Sequence, residues 1–507
     1  MLARVATFAI DGLESRPVSV EVDVRPGLPA FTVVGLADAA VREARERVRA
    51  AILNSGFEFP LRRITANLAP AHLRKVGPGF DLGLAVALLA ASGQVPPEAA
   101  SRYAVFGELS LGGELRDCRG ALAVAEGTRR AGLQGIVLPR GRAREAALVE
   151  ELEVLGVATL AEAVAVLRGE ASVAGLAAEG AAELDVHHEL DLSEVRGHPG
   201  ALAALEIAAA GGHNLLLQGS PGTGKTMLAR RLPSVLPPLS RTEAIEVTRI
   251  HSVAGIHRDG GLVTRRPFRA PHHTTSSAGL VGGGSVPTPG EASLAHHGVL
   301  FLDELSEFPR SSLEALRQPL EDGRVSVVRG QHAQIFPTRF MLVAATNPCP
   351  CGFAGEPDRC RCQEAELARH RRRLSGPLLD RLDLLVTVGR PGSGELAAPA
   401  LTTSAAVRER VRAARERQAR RLAGTAALCN GHMDARLVRR HVRLGPAAAA
   451  VLATAYERHR LSARGHHRVL RVARTLADLA GRERVDARDV MTALAHRQHE
   501  DGERLAA

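Results

Sequence analysis

The run Leu215-Leu-Leu-Gln-Gly219-Ser220-Pro221-Gly222-Thr223-Gly224-Lys225-Thr226 sets a short apolar strand, a glycine-rich turn and a helix start in immediate succession. The strand is read over Leu215–Leu217 and the helix from near Met227. This is the complete phosphate-loop pattern in the strand–loop–helix setting it needs. Glycines let successive backbone N–H groups turn inward around phosphates, and the helix N-terminus adds positive potential. Lys225 is then placed to reach the β and γ phosphates of ATP, and Thr226 to hold Mg²⁺. Lys75 and Lys225 are the only lysines, so 63 of the 65 cationic residues are arginine. A lysine inside a motif is therefore not compositional background.

Downstream, Val299-Leu-Phe-Leu302 reads as a buried strand ending in Asp303-Glu304. A carboxylate at a strand end beside a phosphate loop can orient Mg²⁺, which suits Asp303. Glu304 is then positioned to act as general base on the attacking water. A third apolar strand, Met341 to Ala345, leads to Asn347. An amide there either holds the lytic water or is an ordinary turn residue.

The chain has 507 residues, a length that suits two to four domains, and its 45% apolar and 24% charged residues exclude wholesale disorder. A formal net charge of +10 is compatible with nucleic acid, but arginine richness throughout makes it weak evidence. No Trp, two Tyr and twelve Phe leave few platforms for stacking bases, so any nucleic-acid contact is expected at the phosphate backbone. The apolar run Leu82 to Ala91 is too short to span a bilayer, and no hydrophobic segment is read before Asp11. Six cysteines without a signal do not make a disulfide framework. These features predict a soluble cytoplasmic protein without a membrane partner.

Along residues 1–168, short β-like runs (Thr32–Val34, Ile64–Asn67, Gly135–Leu138) alternate with helices. One helix places Val41, Ala44, Val48 and Ile52 on a single face, with Gly56 as its stop; another spans about Phe80 to Ala91. Residues 169–190 read as a linker and residues 191–390 as an α/β core. A Pro/Gly/Ser/Ala stretch at 390–405 reads as a hinge, and a basic helical region occupies residues 391–507 from Val407 onward.

The segments Gly211-Gly-His-Asn-Leu, Arg266-Pro-Phe-Arg-Ala-Pro-His-His-Thr274, Gly298-Val-Leu-Phe-Leu-Asp-Glu-Leu305, Asn347-Pro-Cys-Pro-Cys-Gly352 and Leu374-Ser-Gly-Pro-Leu-Leu-Asp-Arg-Leu-Asp383 resemble the AAA+ ATPases, specifically the magnesium-chelatase-like ATPases of the YifB/ComM type. The resemblance covers nearly the whole chain, including Leu461-Ser-Ala-Arg-Gly-His-His-Arg468. Ala203 departs from it, standing where an arginine is expected. The resemblance implies an N-terminal Lon protease-like α+β domain, an AAA+ P-loop α/β core and a C-terminal helical lid. It also implies a homo-hexameric ring with ATP between subunits. Asn347 is similar to the first sensor, Arg381 to the arginine finger supplied to a neighbour, and Arg464 to the second sensor, with Arg471 as the other candidate. The Lon-like nucleophile position is Gly79 and the general-base position Leu122, so proteolysis is not expected.

Val325 to Phe336 reads as a hairpin turning at Gly330. The resemblance makes it the hairpin before the first sensor, in which Arg329, Gln331 and His332 would touch a polymer; a plain surface hairpin explains the same residues. Cys349, Cys351, Cys360 and Cys362 form C-x-C-x8-C-x-C, which suits tetrahedral Zn²⁺, against reduced surface thiols or a redox switch. Cys118 and Cys429 read as packing residues, and His272 and His273 as solvated. The arginines of Val407–Leu422 and Ala435–Arg443 form either a salt-bridged solvated face or a backbone-binding surface. The function implied by the resemblance is a DNA helicase or translocase acting in branch migration during recombination and natural transformation. The alternatives are a chelatase-like motor for metal insertion or protein remodelling, and a nucleotide-binding scaffold without turnover.

Overall fold

The computed structural model describes residues 1–35, 39–172, 190–257, 260–284, 287–329, 332–355, 358–373, 376–458 and 461–497. Most of the expected linker, residues 173–189, lies outside them. The chain is a mixed α/β protein that divides into two compact units. One comprises residues 1–184, 240–263 and 328–336, the other residues 185–239, 264–327 and 337–507.

The first unit is built on a seven-stranded sheet in the order Ala30–Val34, Arg63–Ala69, Glu14–Arg25, Leu2–Asp11, Tyr103–Val105, Gly135–Pro139, Glu153–Val157. Leu2–Asp11 and Glu14–Arg25 pair antiparallel from Asp11↔Glu14 to Leu2↔Asp23, turning through Gly12 at φ +65°. In the second of these strands Val18, Val20, Val22 and Val24 are buried, the period-two pattern of a sheet face on a core. The first ten residues are thus a strand rather than a stretch without a hydrophobic element. Its apolar residues are interrupted at Arg4 and Thr7, so no continuous apolar run longer than Phe8 to Ile10 marks it in the sequence. The expected helices occur at Ala39–Asn54 and Asp81–Ala91, the latter buried at every residue.

Gly79 is buried, and a Cβ there would fall 2.5 Å from the Phe106 ring. Leu122 lies in the same core as Phe106. The positions compared with a Ser–Lys pair therefore hold no nucleophile, no base and no space for a serine side chain.

The second unit carries a five-stranded sheet in the order Phe268–Arg269, Val299–Leu302, Met341–Thr346, Leu215–Gln218, Leu384–Thr387. Every pairing is parallel. The three central strands are almost entirely buried, as a parallel sheet covered on both faces requires. Helices Ser404–Arg421, Ala463–Leu479 and Ala487–Ala495 share one apolar core with the sheet, from Leu215 and Val343 through Val411 and Val472 to Val490.

Several arginines of Ser404–Arg421 are engaged by the fold itself, while Arg412 and Arg420 stay exposed. Arg408 donates to Ser234 O, Arg415 to Ala209 O and Arg417 to Asp478 O. Arg410 grips Glu206 at 2.6 and 2.8 Å, and Arg421 pairs with buried Asp478. These cations tie helices together, several by capping carbonyls. Arg436, Arg439, Arg440 and Arg443, by contrast, are exposed.

Candidate functional site

The phosphate loop lies at the carboxyl end of the central strand Leu215–Gln218, where open parallel sheets place their ligands. Gly222 and Gly224 have φ of +78° and +87°, conformations a side chain would oppose, and Gly224 caps the helix Lys225–Val235. Lys225 is buried, and its ammonium donates to Gly219 O at 2.7 Å, Ser220 O at 2.9 Å and Asn347 Oδ1 at 3.1 Å. Burial lowers its pKa, while the charges of Asp303 and Glu304 oppose that shift. The lysine and the Asn347 amide therefore meet at the loop through adjacent parallel strands.

Strand Val299–Leu302 delivers the acidic pair. Thr226 Oγ1 donates to Asp303 Oδ2 at 2.8 Å. One carboxylate beside one hydroxyl at the phosphate loop is an oxygen donor set that fits Mg²⁺, which takes few protein ligands and completes its shell with phosphate and water. Glu304 N donates to Asp303 Oδ1 at 3.0 Å, and Glu304 itself sits at φ +52°. A non-glycine residue in the left-handed region costs about 1–3 kcal/mol and is held only where its surroundings enforce it. That turn leaves the Glu304 side chain half exposed.

A contact missed in the sequence orients this carboxylate. His273 Nδ1 lies 3.4 Å from Glu304 Oε2, and the His273 ring packs at a tilt against His272 at 4.1 Å and meets Phe308 edge-on at 6.5 Å. The expectation of solvated histidines holds for exposed His272 but not for His273, which faces Glu304. The available signal was their place in the segment from Arg266 to Thr274, which contains Phe268–Arg269, the strand neighbouring Val299–Leu302.

Asn347 is fixed from its other side by buried His370, whose Nε2 lies 3.0 Å from Asn347 O. The segment that follows brings the Sγ atoms of Cys349, Cys351, Cys360 and Cys362 within 4.8 Å of one another. Cys349 and Cys351 are 3.3 Å apart, and Cys351 and Cys360 3.8 Å. Hydrogen bonds from the backbone of Arg361 and Phe353 draw the Cys351 thiol down to about 6, favouring the thiolate that binds metal. Four cysteine sulfurs gathered this closely fit tetrahedral Zn²⁺.

Arg381 and Arg464 stand elsewhere. Arg381 is buried and ion-paired with Glu321. Exposed Arg464 approaches the same Glu321 carboxylate at 3.9 Å. Both line one wide cleft of about 790 Å³ with Arg436, Arg440 and Arg468, apart from the cavity over the phosphate loop. Arg471 lines the same cleft but pairs with different partners. It donates to Gly431 O at 2.6 Å and to Asp383 Oδ1 at 3.2 Å. Buried Asp383 also meets Arg468 at 3.7 Å and His213 Nδ1 at 3.3 Å. Burial by itself would raise the Asp383 pKa, but Arg471, His213 and Arg468 hold it well below the usual carboxylate range. The side chains of Arg329, Gln331 and His332 lie outside the described residues.

Residues 191–396 match the family described as magnesium chelatase, subunit ChlI; residues 20–142 match subunit ChlI of Mg-chelatase, and residues 401–497 its C-terminal part. The chain is 46% identical over 499 residues to an uncharacterized protein of Mycobacterium tuberculosis, covering 98% of this chain and 99% of the other. It is 42% identical to the uncharacterized protein YifB of Escherichia coli, covering 98% and 95%, and 41% identical to competence protein ComM of Haemophilus influenzae, covering 98% and 97%. With these matches running along almost its whole length, the chain belongs to the magnesium-chelatase-like YifB/ComM family.

Proposed function

We propose that the protein is an AAA+ ATPase that completes its active sites between copies of itself and uses hydrolysis to move DNA. The observation that carries the reading is the meeting of Lys225, Thr226, Asp303, Glu304 and Asn347 around one glycine loop while Arg381 lies in a separate cleft. Lys225 and the loop N–H groups bind and orient the β and γ phosphates of ATP. Thr226 and Asp303 hold Mg²⁺, which neutralises charge on the phosphates when bound. Glu304, steadied by His273, takes the proton of the attacking water, and Asn347 positions that water. Arg381, with Arg464 beside it, meets the γ phosphate held by the adjoining subunit and stabilises charge there in the transition state. A closed ring satisfies this head-to-tail arrangement at every interface, which supports a homo-hexamer.

In this reading residues 1–168 form a Lon-like, non-proteolytic domain, residues 191–390 the ATPase core and residues 391–507 the helical lid. The relative named competence protein, the net positive charge and the exposed arginines of Ala435–Arg443 favour DNA as the polymer. Phosphate contact by arginine rather than base stacking fits a chain without Trp. The test is ATPase rate with and without forked or four-way-junction DNA, together with displacement of a labelled strand. Junction DNA should stimulate turnover and strands should separate only with ATP. Hydrolysis indifferent to DNA, with no strand movement, would favour the metal-insertion or protein-remodelling motor instead.

A further inference from the structure

The loop that carries the four cysteines begins two residues after Asn347, whose amide oxygen is on Lys225, and returns to the phosphate loop a second time. Gly352, at φ +88°, lies so close to Pro221 that a Cβ on it would fall 2.5 Å from Pro221 Cδ. The intervening turn is closed by Gly352 N donating to Cys349 O at 3.0 Å and Ala354 N to Cys349 Sγ at 3.2 Å. Beyond it, the Arg359 guanidinium sits 3.9 Å from the centre of the Phe353 ring, a cation–π contact that sets where the charge points. Ala354 and Arg359 line a cavity of about 470 Å³ that Gly219 to Thr223 of the phosphate loop and Thr387 to Arg390 also border. Chain continuity, the Gly352–Pro221 packing and the cavity wall thus join the cysteine cluster to the place where phosphate is expected.

We propose that this loop is a zinc-set wall of the nucleotide site. Zn²⁺ on Cys349, Cys351, Cys360 and Cys362 holds Gly352 against Pro221 and presents Arg359 to the anionic phosphate chain of a nucleoside triphosphate. The inference rests on the ATP reading above and adds to it a nucleotide-binding arginine and a metal requirement for affinity. Four thiolates tie two short segments on either side of Arg359, so removing the metal removes the link that sets where Arg359 stands. Removing zinc should therefore weaken binding of nucleotide without touching Lys225, Thr226 or Asp303.

The experiment uses the full chain, with zinc content measured by elemental analysis and affinity by titration with a fluorescent ATP analogue in the presence of Mg²⁺. One zinc per chain is expected. A zinc-selective chelator should raise Kd about tenfold, the scale of one charge-assisted hydrogen bond, and Zn²⁺ alone should restore it. Arg359→Ala should keep its zinc and show a comparable rise. Should stripping unfold the chain, Arg359→Ala decides the question, because all four thiolates remain. Absence of zinc, or an Arg359→Ala protein with wild-type affinity, would overturn the proposal. A wild-type protein that binds no ATP would instead overturn the nucleotide reading on which it stands.

Discussion

Thr226 Oγ1 donates a 2.8 Å hydrogen bond to Asp303 Oδ2, joining residues 77 positions apart in the chain. The contact exists because strand Met341–Thr346 lies between Leu215–Gln218 and Val299–Leu302, so the loops at their carboxyl ends converge. Each partner offers oxygen to the same point beside the phosphates. Asp303→Asn keeps the shape but removes the charge that Mg²⁺ needs. The expected outcome is nucleotide binding that no longer strengthens with Mg²⁺ and hydrolysis lowered at least about a hundredfold, measured by titrating Mg²⁺ in a phosphate-release assay. Wild-type Mg²⁺ dependence in this variant would remove Asp303 from the metal site.

In the proposed mechanism Glu304 is the base and His273 the residue that positions it. Glu304→Gln should retain ATP and lose turnover, since the amide cannot accept the proton of water. His273→Ala leaves the base in place but frees its carboxylate. Its kcat should fall about ten- to a hundredfold with nucleotide affinity unchanged, the scale expected when a reacting group is misplaced. A KM effect without a kcat effect would reassign His273 to binding.

Asp383 predicts a pH dependence. Its folded-state pKa lies below the unfolded value of about 3.9, because Arg471, His213 and Arg468 stabilise the carboxylate more than burial penalises it. The sign follows from linkage: the stabilisation is fully present above the unfolded pKa and is lost as pH falls through the acid range toward the folded value. Asp383→Asn leaves Arg468 and Arg471 facing each other without their counter-charge, which should cost about 3–5 kcal/mol. Urea unfolding at pH 7 measures the loss. Stability of the variant should also fall less than that of wild type between pH 5 and about 3.

The strands and loops of the nucleotide site could be read directly from sequence because each is a local pattern: apolar run, glycine turn, acidic or amide strand end. Contacts between distant segments were harder. His273 gave no local sign of its partner, since Glu304 reaches it only through a left-handed turn after a neighbouring strand. Leu2–Asp11 is broken into short apolar pieces by Arg4 and Thr7, and Glu14–Arg25 alternates apolar with polar residues, so their pairing is what reveals the sheet. Arginine composition was the most ambiguous signal. The same residue type caps carbonyls at Arg408 and Arg415, balances Asp383 at Arg471 and lies exposed at Arg440. Only placement distinguishes these roles.

ATP hydrolysis at a site shared between copies of the chain is tested most directly by mixing two inactive proteins. Lys225→Ala subunits have a dead phosphate loop but an intact Arg381, whereas Arg381→Ala subunits bind ATP but cannot complete a neighbour's site. ATP binding by each variant alone is the control, and mixed assembly is confirmed by co-purification. The account predicts that the mixture regains ATPase activity, because some interfaces pair a working loop with a working arginine. Co-assembled variants whose mixture stays at background would contradict it.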